Sequence, residues 1–261
     1  HTSDEYWEHA VDILLNIVCD YKFTKDQLGV ERNVVIEEVV NANSERDSIM
    51  TDLVFESILG SKDPFARTVG GTRTTINNIT TQDLKAFYDT YYRDLSKLTF
   101  VVYSNSTHIP KVKRMIRHYT KGFVAGSGDI TPYVHTYVPK TIVRHEKHIP
   151  VKYVSMTFQA FPAKDWRKNV TLSFIAYILA NAGLYSILNQ EMRATRGLVY
   201  GVYIDNQFLR DVSITSIQFN TSRKNIKNII ALVKKLVTEL KLSHEALMFF
   251  KESFKNYTIL Q

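Results

Sequence analysis

The sequence predicts an α+β protein of two similarly built domains, and three observations point to this fold class. Helical stripes with helix caps recur through the first half of the 261-residue chain, starting at Tyr6–Tyr21. Strand-like alternation occurs at Leu98–Tyr103 and again at Lys152–Phe161. The region Gly122–Pro150 is rich in Gly and Pro, which is typical of an inter-domain linker. We predict two incomplete domains, at residues 1–128 and 140–261.

Local sequence signals place the helices of the first half. Thr24 is followed three residues later by Gln27, which is a capping-box pattern. Gly60 is suited to the position just after a helix end. The predicted helices of the first half span about 6–21, 24–43, 48–59, 80–92 and 111–121.

The second half repeats the theme of strands and helices. The predicted strands span 152–161, 199–203 and 213–219. The predicted helices span 170–179, 184–195 and 226–240, and a last helix begins after Ser243. The two halves are built alike, which indicates a duplication.

Composition narrows the classes of function. The net charge is +7, but Lys and Arg are scattered and no nucleic-acid-binding motif occurs, so we predict no nucleic-acid partner. No run of about 18 apolar residues occurs, so we predict no membrane span. The single Cys19 cannot form an internal disulfide, which favours a reducing compartment such as cytoplasm, organelle matrix or a viral setting.

The helix around Glu31 and Glu38 is the first candidate site. These carboxylates are seven residues apart, so two helical turns place them on the same face. Apolar residues cover most of the remaining helix, which predicts that it is buried: Val34, Val35, Ile36, Val39 and Val40. A buried carboxylate needs a partner. From the residues alone, a metal ion and an arginine both remain open.

A series of motifs around this helix carries a family resemblance. After Glu31–Glu38 come Pro64-Phe65, Gly71-Thr72 and the run Ile76-Asn-Asn-Ile79-Thr80-Thr-Gln-Asp83-Leu84-Lys-Ala-Phe87-Tyr88, and then Tyr92 and the predicted strand Leu98–Tyr103. In this order they resemble the first domain of the M16 metallopeptidases, which include pitrilysin, insulin-degrading enzyme and mitochondrial processing peptidase. The resemblance implies that Glu38 is the third zinc ligand and that Glu31 is an acid beside the zinc site.

A second motif lies in the other half of the chain. The run Leu188-Asn-Gln-Glu191-Met192-Arg193-Ala-Thr-Arg196-Gly197-Leu198-Val199-Tyr200 resembles the Leu-Arg-x-x-x-Gly-Leu-x-Tyr pattern of the same family. The resemblance implies that Arg193 and Tyr200 bind the substrate backbone and steady the oxyanion. The alternative is that Arg193 pairs with Glu191 or another neighbour and that Tyr200 is a half-buried strand aromatic.

The family's His-x-x-Glu-His motif is absent from this sequence. Neither Glu8-His9 nor His145-Glu-Lys-His148 has the required spacing. Two explanations stay open: the motif lies in a part of the protein that precedes residue 1, or the protein is a non-catalytic member of the family.

The resemblance completes the expectations about fold and function. It implies two homologous domains, each a mainly antiparallel sheet packed with helices, and zinc as the cofactor. It implies a zinc-dependent metalloendopeptidase that cleaves peptides or unfolded polypeptide segments. The alternative is a non-catalytic subunit with a structural or peptide-binding role. A dimer or a homologous partner subunit is left open.

Overall fold

The computed structural model describes residues 2–126, 133–144, 151–210 and 212–259, which form two compact units. The first unit consists of residues 2–42 and 69–126, and the second of residues 43–68 and those from 133 onward. Residues 43–68 therefore pack with the second unit, although the sequence assigns them to the first predicted domain. The division into duplicated halves at 1–128 and 140–261 stays a prediction.

Helices make up most of the described chain. They are α1 (Trp7–Cys19), α2 (Lys25–Ala42), α3 (Arg46–Leu59), α4 (Arg73–Asn78), α5 (Thr81–Phe87), α6 (Ile109–Tyr119), α7 (Trp166–Ala176), α8 (Ile187–Asn189), α9 (Ile226–Thr238) and α10 (His244–Ile259). Helices α5, α7 and α8 continue as π-helical turns at Tyr88–Tyr92, Tyr177–Asn181 and Gln190–Thr195. These elements confirm the predicted helices, with small shifts at their ends. Helix α4 falls in a stretch without a predicted helix.

Side-chain caps explain where several helices begin and end. The Thr24 N–H donates to Gln27 Oε1 at 3.3 Å, and the Gln27 N–H donates to Thr24 Oγ1 at 3.2 Å. Thr80 and Asp83 form the same reciprocal pair before α5. Gly60 ends α3 with a φ of 80°, a conformation that glycine adopts without steric cost. The capping predictions for Thr24 with Gln27 and for Gly60 are confirmed.

The second unit contains a three-stranded antiparallel sheet. Its strands are β1 (Lys152–Gln159), β2 (Val202–Phe208) and β3 (Ser213–Thr221), in the order β1-β3-β2. In the central strand, Ile217 lies opposite Met156 of β1 and Ile204 of β2. The predicted strand at 199–203 thus begins three residues later and extends further than expected. Helices together with this antiparallel sheet confirm the α+β class.

The main core of the second unit lies between the sheet and helices α8 and α9. Leu188, Met192, Val202 and Ile229 are 0% exposed in this cluster. Fully burying such a side chain contributes about 1.5–3 kcal/mol. The core therefore fixes α8, its π turn and the start of β2 against one another.

The predicted strand Leu98–Tyr103 is wrong. This segment forms no β-ladder, and within it Val101 is 90% exposed. Strand propensity takes effect only where a neighbouring strand is available for pairing. In the described part of the first unit, the one β-pairing is an isolated parallel bridge between Asp94 and Val124. The first unit therefore shows no sheet in its described residues, in contrast to the expectation for each half.

The prediction that α2 is a buried helix is also wrong. Ile36 is buried, but Val30, Val34 and Val40 are 67%, 46% and 43% exposed. An apolar sequence buries a helix only where other elements cover its faces. Among the helices and strands of the described residues, α4 makes the main contact with α2.

Among the described residues, no helix combines the length and apolar character needed to cross a membrane.

Candidate functional site

Helix α2 presents both predicted carboxylates at its surface. Glu31 and Glu38 are exposed. Between them, Arg32 donates to the backbone oxygens of Ile79 at 2.6 Å and Ile76 at 3.3 Å. These bonds attach α2 to the end of α4. The two carboxylates therefore lie on a helix that Arg32 attaches to α4.

The described residues do not by themselves fit a zinc ion. Protein zinc sites use at least three protein ligands. Within residues 2–126, 133–144, 151–210 and 212–259, no three His, Cys, Asp or Glu side chains come together as such a site requires. The segment His145-Glu-Lys-His148 lies outside the described residues. Glu38 can therefore supply one ligand, but not a metal centre.

Arg193 and Tyr200 lie against one another. The guanidinium carbon of Arg193 is 4.9 Å from the centroid of the Tyr200 ring, which is the geometry of a cation–π contact. Arg193 lies on the π turn after α8, and Gly197 then reverses the chain with a φ of 58°. The Leu198 N–H closes this reversal by donating to Met192 O at 2.8 Å. The turn brings two residues that are seven apart in sequence into contact.

Among the described residues, Arg193 forms no ion pair with Glu191 or another neighbour. Glu191 instead accepts from Arg196, with an Nη2–Oε2 distance of 3.2 Å. Tyr200 is 72% exposed and precedes β2, so it is not a half-buried strand residue. Both predicted side chains are therefore accessible to a ligand.

A cleft of about 440 Å³ borders Arg193 in the second unit. Its lining comes from the π turn after α7, from α8, from β2 and from α10: Ala180, Asn181, Gly183, Leu184, Asn189, Arg193, Gly201, Tyr203, Ile204, Asp205 and Tyr257. The volume lies in the range of small-ligand pockets. The sequence did not predict Tyr203 or Asp205 as site residues. Asp205 lies beyond the predicted strand, which ended at Tyr203, and no motif singled out Tyr203.

Two asparagines hold the edge of β2 that forms the floor of this cleft. Asn181 Nδ2 donates to Ile204 O at 2.7 Å, and the Ile204 N–H donates to Asn181 Oδ1 at 3.0 Å. Asn189 makes the same pair of bonds with Val202, at 3.1 and 2.9 Å. In the sequence, each asparagine directly follows a short apolar run, Ile178–Ala180 before Asn181 and Ile187-Leu188 before Asn189. The two amides satisfy backbone groups that an edge strand would otherwise leave open.

A buried histidine–aspartate pair lies elsewhere in the second unit. His135 Nδ1 is 2.9 Å from Asp63 Oδ2, and these side chains are 3% and 4% exposed. Asp63 also accepts from the Phe65 N–H at 2.9 Å. The sequence did not predict this pair, since 72 residues separate its members.

A larger cleft, of about 620 Å³, lies in the first unit. Its lining residues come from the segment Cys19–Phe23, from α5 and its π turn, and from the end of α6 and the residues up to Phe123. None of the four predicted site residues lines it.

Comparison with known proteins first gives the class of protein. The fold is shared with the crystal structure of a peptidase M16 inactive domain from Pseudomonas fluorescens, with a TM-score of 0.77 and 17% identity. That match covers 97% of this chain and 61% of the other. The chain thus shares its α+β fold with that protein.

The family model described as "Peptidase M16 inactive domain" matches residues 78–246, and the chain belongs to the peptidase M16 family. It is 25% identical over 206 residues to an uncharacterized zinc protease of Mycobacterium leprae, covering 78% of this chain and 45% of the relative. It is 24% identical over 239 residues to a non-peptidase homolog of Helicobacter pylori, covering 90% of this chain and 54% of the relative. The chain spans about half the length of these curated relatives.

Proposed function

We propose that this chain binds extended segments of polypeptide through Arg193 and Tyr200. The contact between these exposed side chains, at 4.9 Å beside a cleft, carries the proposal. A guanidinium and a phenol are hydrogen-bond donors that suit the carbonyl oxygens of a peptide backbone. Because such donors also suit a developing oxyanion, the pair serves a peptide binder and a peptidase alike.

The finer proposal concerns the whole protein, which would be a zinc-dependent metalloendopeptidase that acts on peptides or unfolded polypeptide segments. The printed name of the M. leprae relative, a zinc protease, supports this proposal. Glu38 would contribute one zinc ligand, Glu31 would lie beside it, and the other ligands would come from outside the described residues. No hydrolytic step follows from the described residues alone.

A second candidate function is that of a non-catalytic M16 subunit with a structural or peptide-binding role. Two observations favour it: the family model is that of an inactive domain, and the H. pylori relative is called a non-peptidase homolog. A second copy or a homologous subunit would be the partner in that case.

Peptide binding can be tested with a matched pair of arginine variants. Arg167 lies over the Trp166 ring at 5.3 Å, so it resembles Arg193 in its surroundings but does not line the cleft. Fluorescence anisotropy with a labelled, neutral, unstructured peptide should show about tenfold weaker binding for Arg193→Ala, the cost of one lost charged hydrogen bond. Arg167→Ala should bind like the wild type. Equal affinity of wild type and Arg193→Ala would reject the proposal.

Zinc content separates the two candidate functions. Elemental analysis of the intact protein should find about one zinc per chain if it is an endopeptidase, and much less in Glu38→Gln. An intact protein without zinc, which still binds peptide through Arg193, would be the non-catalytic subunit.

A further inference from the structure

The floor of the cleft beside Arg193 presents a carboxylate and a phenol on the same face. Tyr203 and Asp205 are two residues apart on β2, so their side chains lie on one side of the sheet. Both are exposed, whereas Val202 and Ile204 are buried on the opposite face. Both members of this polar pair line the cleft, as Arg193 does.

Asp205 has capacity to bind a cation. Its Oδ2 accepts one hydrogen bond, from Gln207 Nε2 at 2.8 Å. In the described part of the chain it forms no ion pair. An ionised carboxylate has about four acceptor positions, so most of them are open to a ligand.

The other charged residue of the lining is engaged elsewhere. Arg193 holds its guanidinium over the Tyr200 ring rather than in an ion pair with Asp205. The cleft is therefore flanked by one cation and one anion that do not neutralise each other. A ligand that complements both presents a carbonyl oxygen to Arg193 and a cation to Asp205.

Aromatic rings add to the affinity for a cation. Tyr203 and Tyr257 both line the cleft, and the face of a tyrosine ring attracts ammonium and guanidinium groups. Gly201 keeps this arrangement open, because a Cβ there would lie 3.1 Å from the Tyr203 hydroxyl. A long basic side chain can contact such rings along its stem while its charged end reaches a carboxylate.

We propose that the cleft receives a lysine or arginine side chain of the bound polypeptide, and that Asp205 is the residue that selects it. This inference rests on the proposed peptide binding and adds a side-chain preference to it. The bound backbone would contact Arg193, and the basic side chain would extend over Tyr203 to Asp205.

The test uses labelled peptides that differ only in a central Lys, Arg, Gln or Glu. The wild type should bind the Lys and Arg peptides about fivefold more tightly than the Gln peptide, the combined effect of one exposed ion pair and one cation–π contact. In Asp205→Asn this ratio should fall to about one. Equal binding of the Lys and Gln peptides by the wild type would overturn the proposal, as would a ratio that persists in Asp205→Asn.

A carboxylate outside the cleft provides the matched control. Asp165 pairs with Lys168 at 3.2 Å and is not part of the lining, so Asp165→Asn should keep the wild-type ratio. The Gln peptide distinguishes a failure of the side-chain preference assigned to Asp205 from a failure of peptide binding through Arg193. If its affinity depends on Arg193 but no basic preference exists, only the role of Asp205 fails. If its affinity does not depend on Arg193, the proposed peptide binding fails as well.

Discussion

The guanidinium of Arg193 lies over the ring of Tyr200, 4.9 Å from its centroid. Because Tyr200 is 72% exposed, breaking this contact removes little buried area. We predict that Tyr200→Leu lowers the free energy of unfolding by about 1 kcal/mol or less, the size of one exposed cation–π contact. Affinity for an unstructured peptide should fall about tenfold, since the phenol donor is lost.

Tyr200→Phe separates the two roles of this residue. It keeps the ring under Arg193 and removes only the hydroxyl, so stability should match the wild type. Urea denaturation and peptide binding measured side by side would check this. A large loss of stability with unchanged peptide affinity would mean that the pair is structural.

Asn189 is predicted to be the most sensitive polar residue around the cleft. It is 5% exposed, and its amide bonds to Val202 through both atoms and to Ala180 O at 2.9 Å. Asn189→Leu would leave these backbone groups buried without partners, at a cost of about 2–4 kcal/mol. Asn256→Leu, at an exposed position of α10, should stay within about 0.5 kcal/mol. Similar urea midpoints for the two variants would contradict the proposed role of Asn189.

The pair of His135 and Asp63 should hold the segment 133–144 on helix α3. In this segment, the Val138 N–H donates to Ile58 O at 2.7 Å and the Lys140 N–H to Ser57 O at 2.7 Å. Asp63→Ala removes the partner of a buried imidazole, which we expect to cost about 1–3 kcal/mol.

Hydrogen exchange gives a local measure of the same effect. In Asp63→Ala, the amides of Val138 and Lys140 should exchange faster, while those of β3 keep their protection. Asp63→Asn, which retains an acceptor for the Phe65 N–H, should show a smaller change. Unaltered exchange at Val138 in Asp63→Ala would show that the pair does not hold this segment.

Asp94 should make the first unit sensitive to acid. Hydrogen bonds from the Ser96 hydroxyl and the Gly126 N–H, together with the Lys97 ammonium, hold the pKa of Asp94 well below its usual range. A depressed pKa contributes stability above the unfolded value of about 4, and this contribution is lost as the pH falls below it. The measurement compares urea denaturation of wild type and Asp94→Asn between about pH 6 and pH 3. The wild-type advantage should shrink at the acidic end, and a constant difference would contradict the prediction.

The sequence was most informative about elements that depend on local signals. The reciprocal cap of Thr24 and Gln27 and the left-handed Gly60 act within a few residues, so both could be read directly. The predictions for Leu98–Tyr103 and for α2 were wrong for the same reason, because each assumed neighbouring elements that the described residues do not supply. Propensity and apolar pattern describe what a segment could bury, and its neighbours decide whether it does.

In the candidate site too, local sequence signals identified some residues, whereas their contacts depend on tertiary packing. The positions of Arg193 and Tyr200 came from a sequence pattern, but their contact depends on the reversal at Gly197. Asp205 was missed because a strand's end is hard to place from alternation alone. The partners of Asn189 and His135 are set by tertiary packing, which no local pattern encodes.

The most direct test of the central claim is photo-crosslinking from the position of Tyr200. A p-benzoylphenylalanine at position 200 is compared with one at position 166, where Trp166 is also exposed and also contacts an arginine. The proposed function predicts that an unfolded polypeptide is captured at position 200 and not at position 166. Because this variant lacks the Tyr200 phenol, the polypeptide is added well above the concentration that a roughly tenfold weaker affinity requires. Capture at both positions alike, or none at position 200, would contradict the claim that Arg193 and Tyr200 form a peptide-binding site.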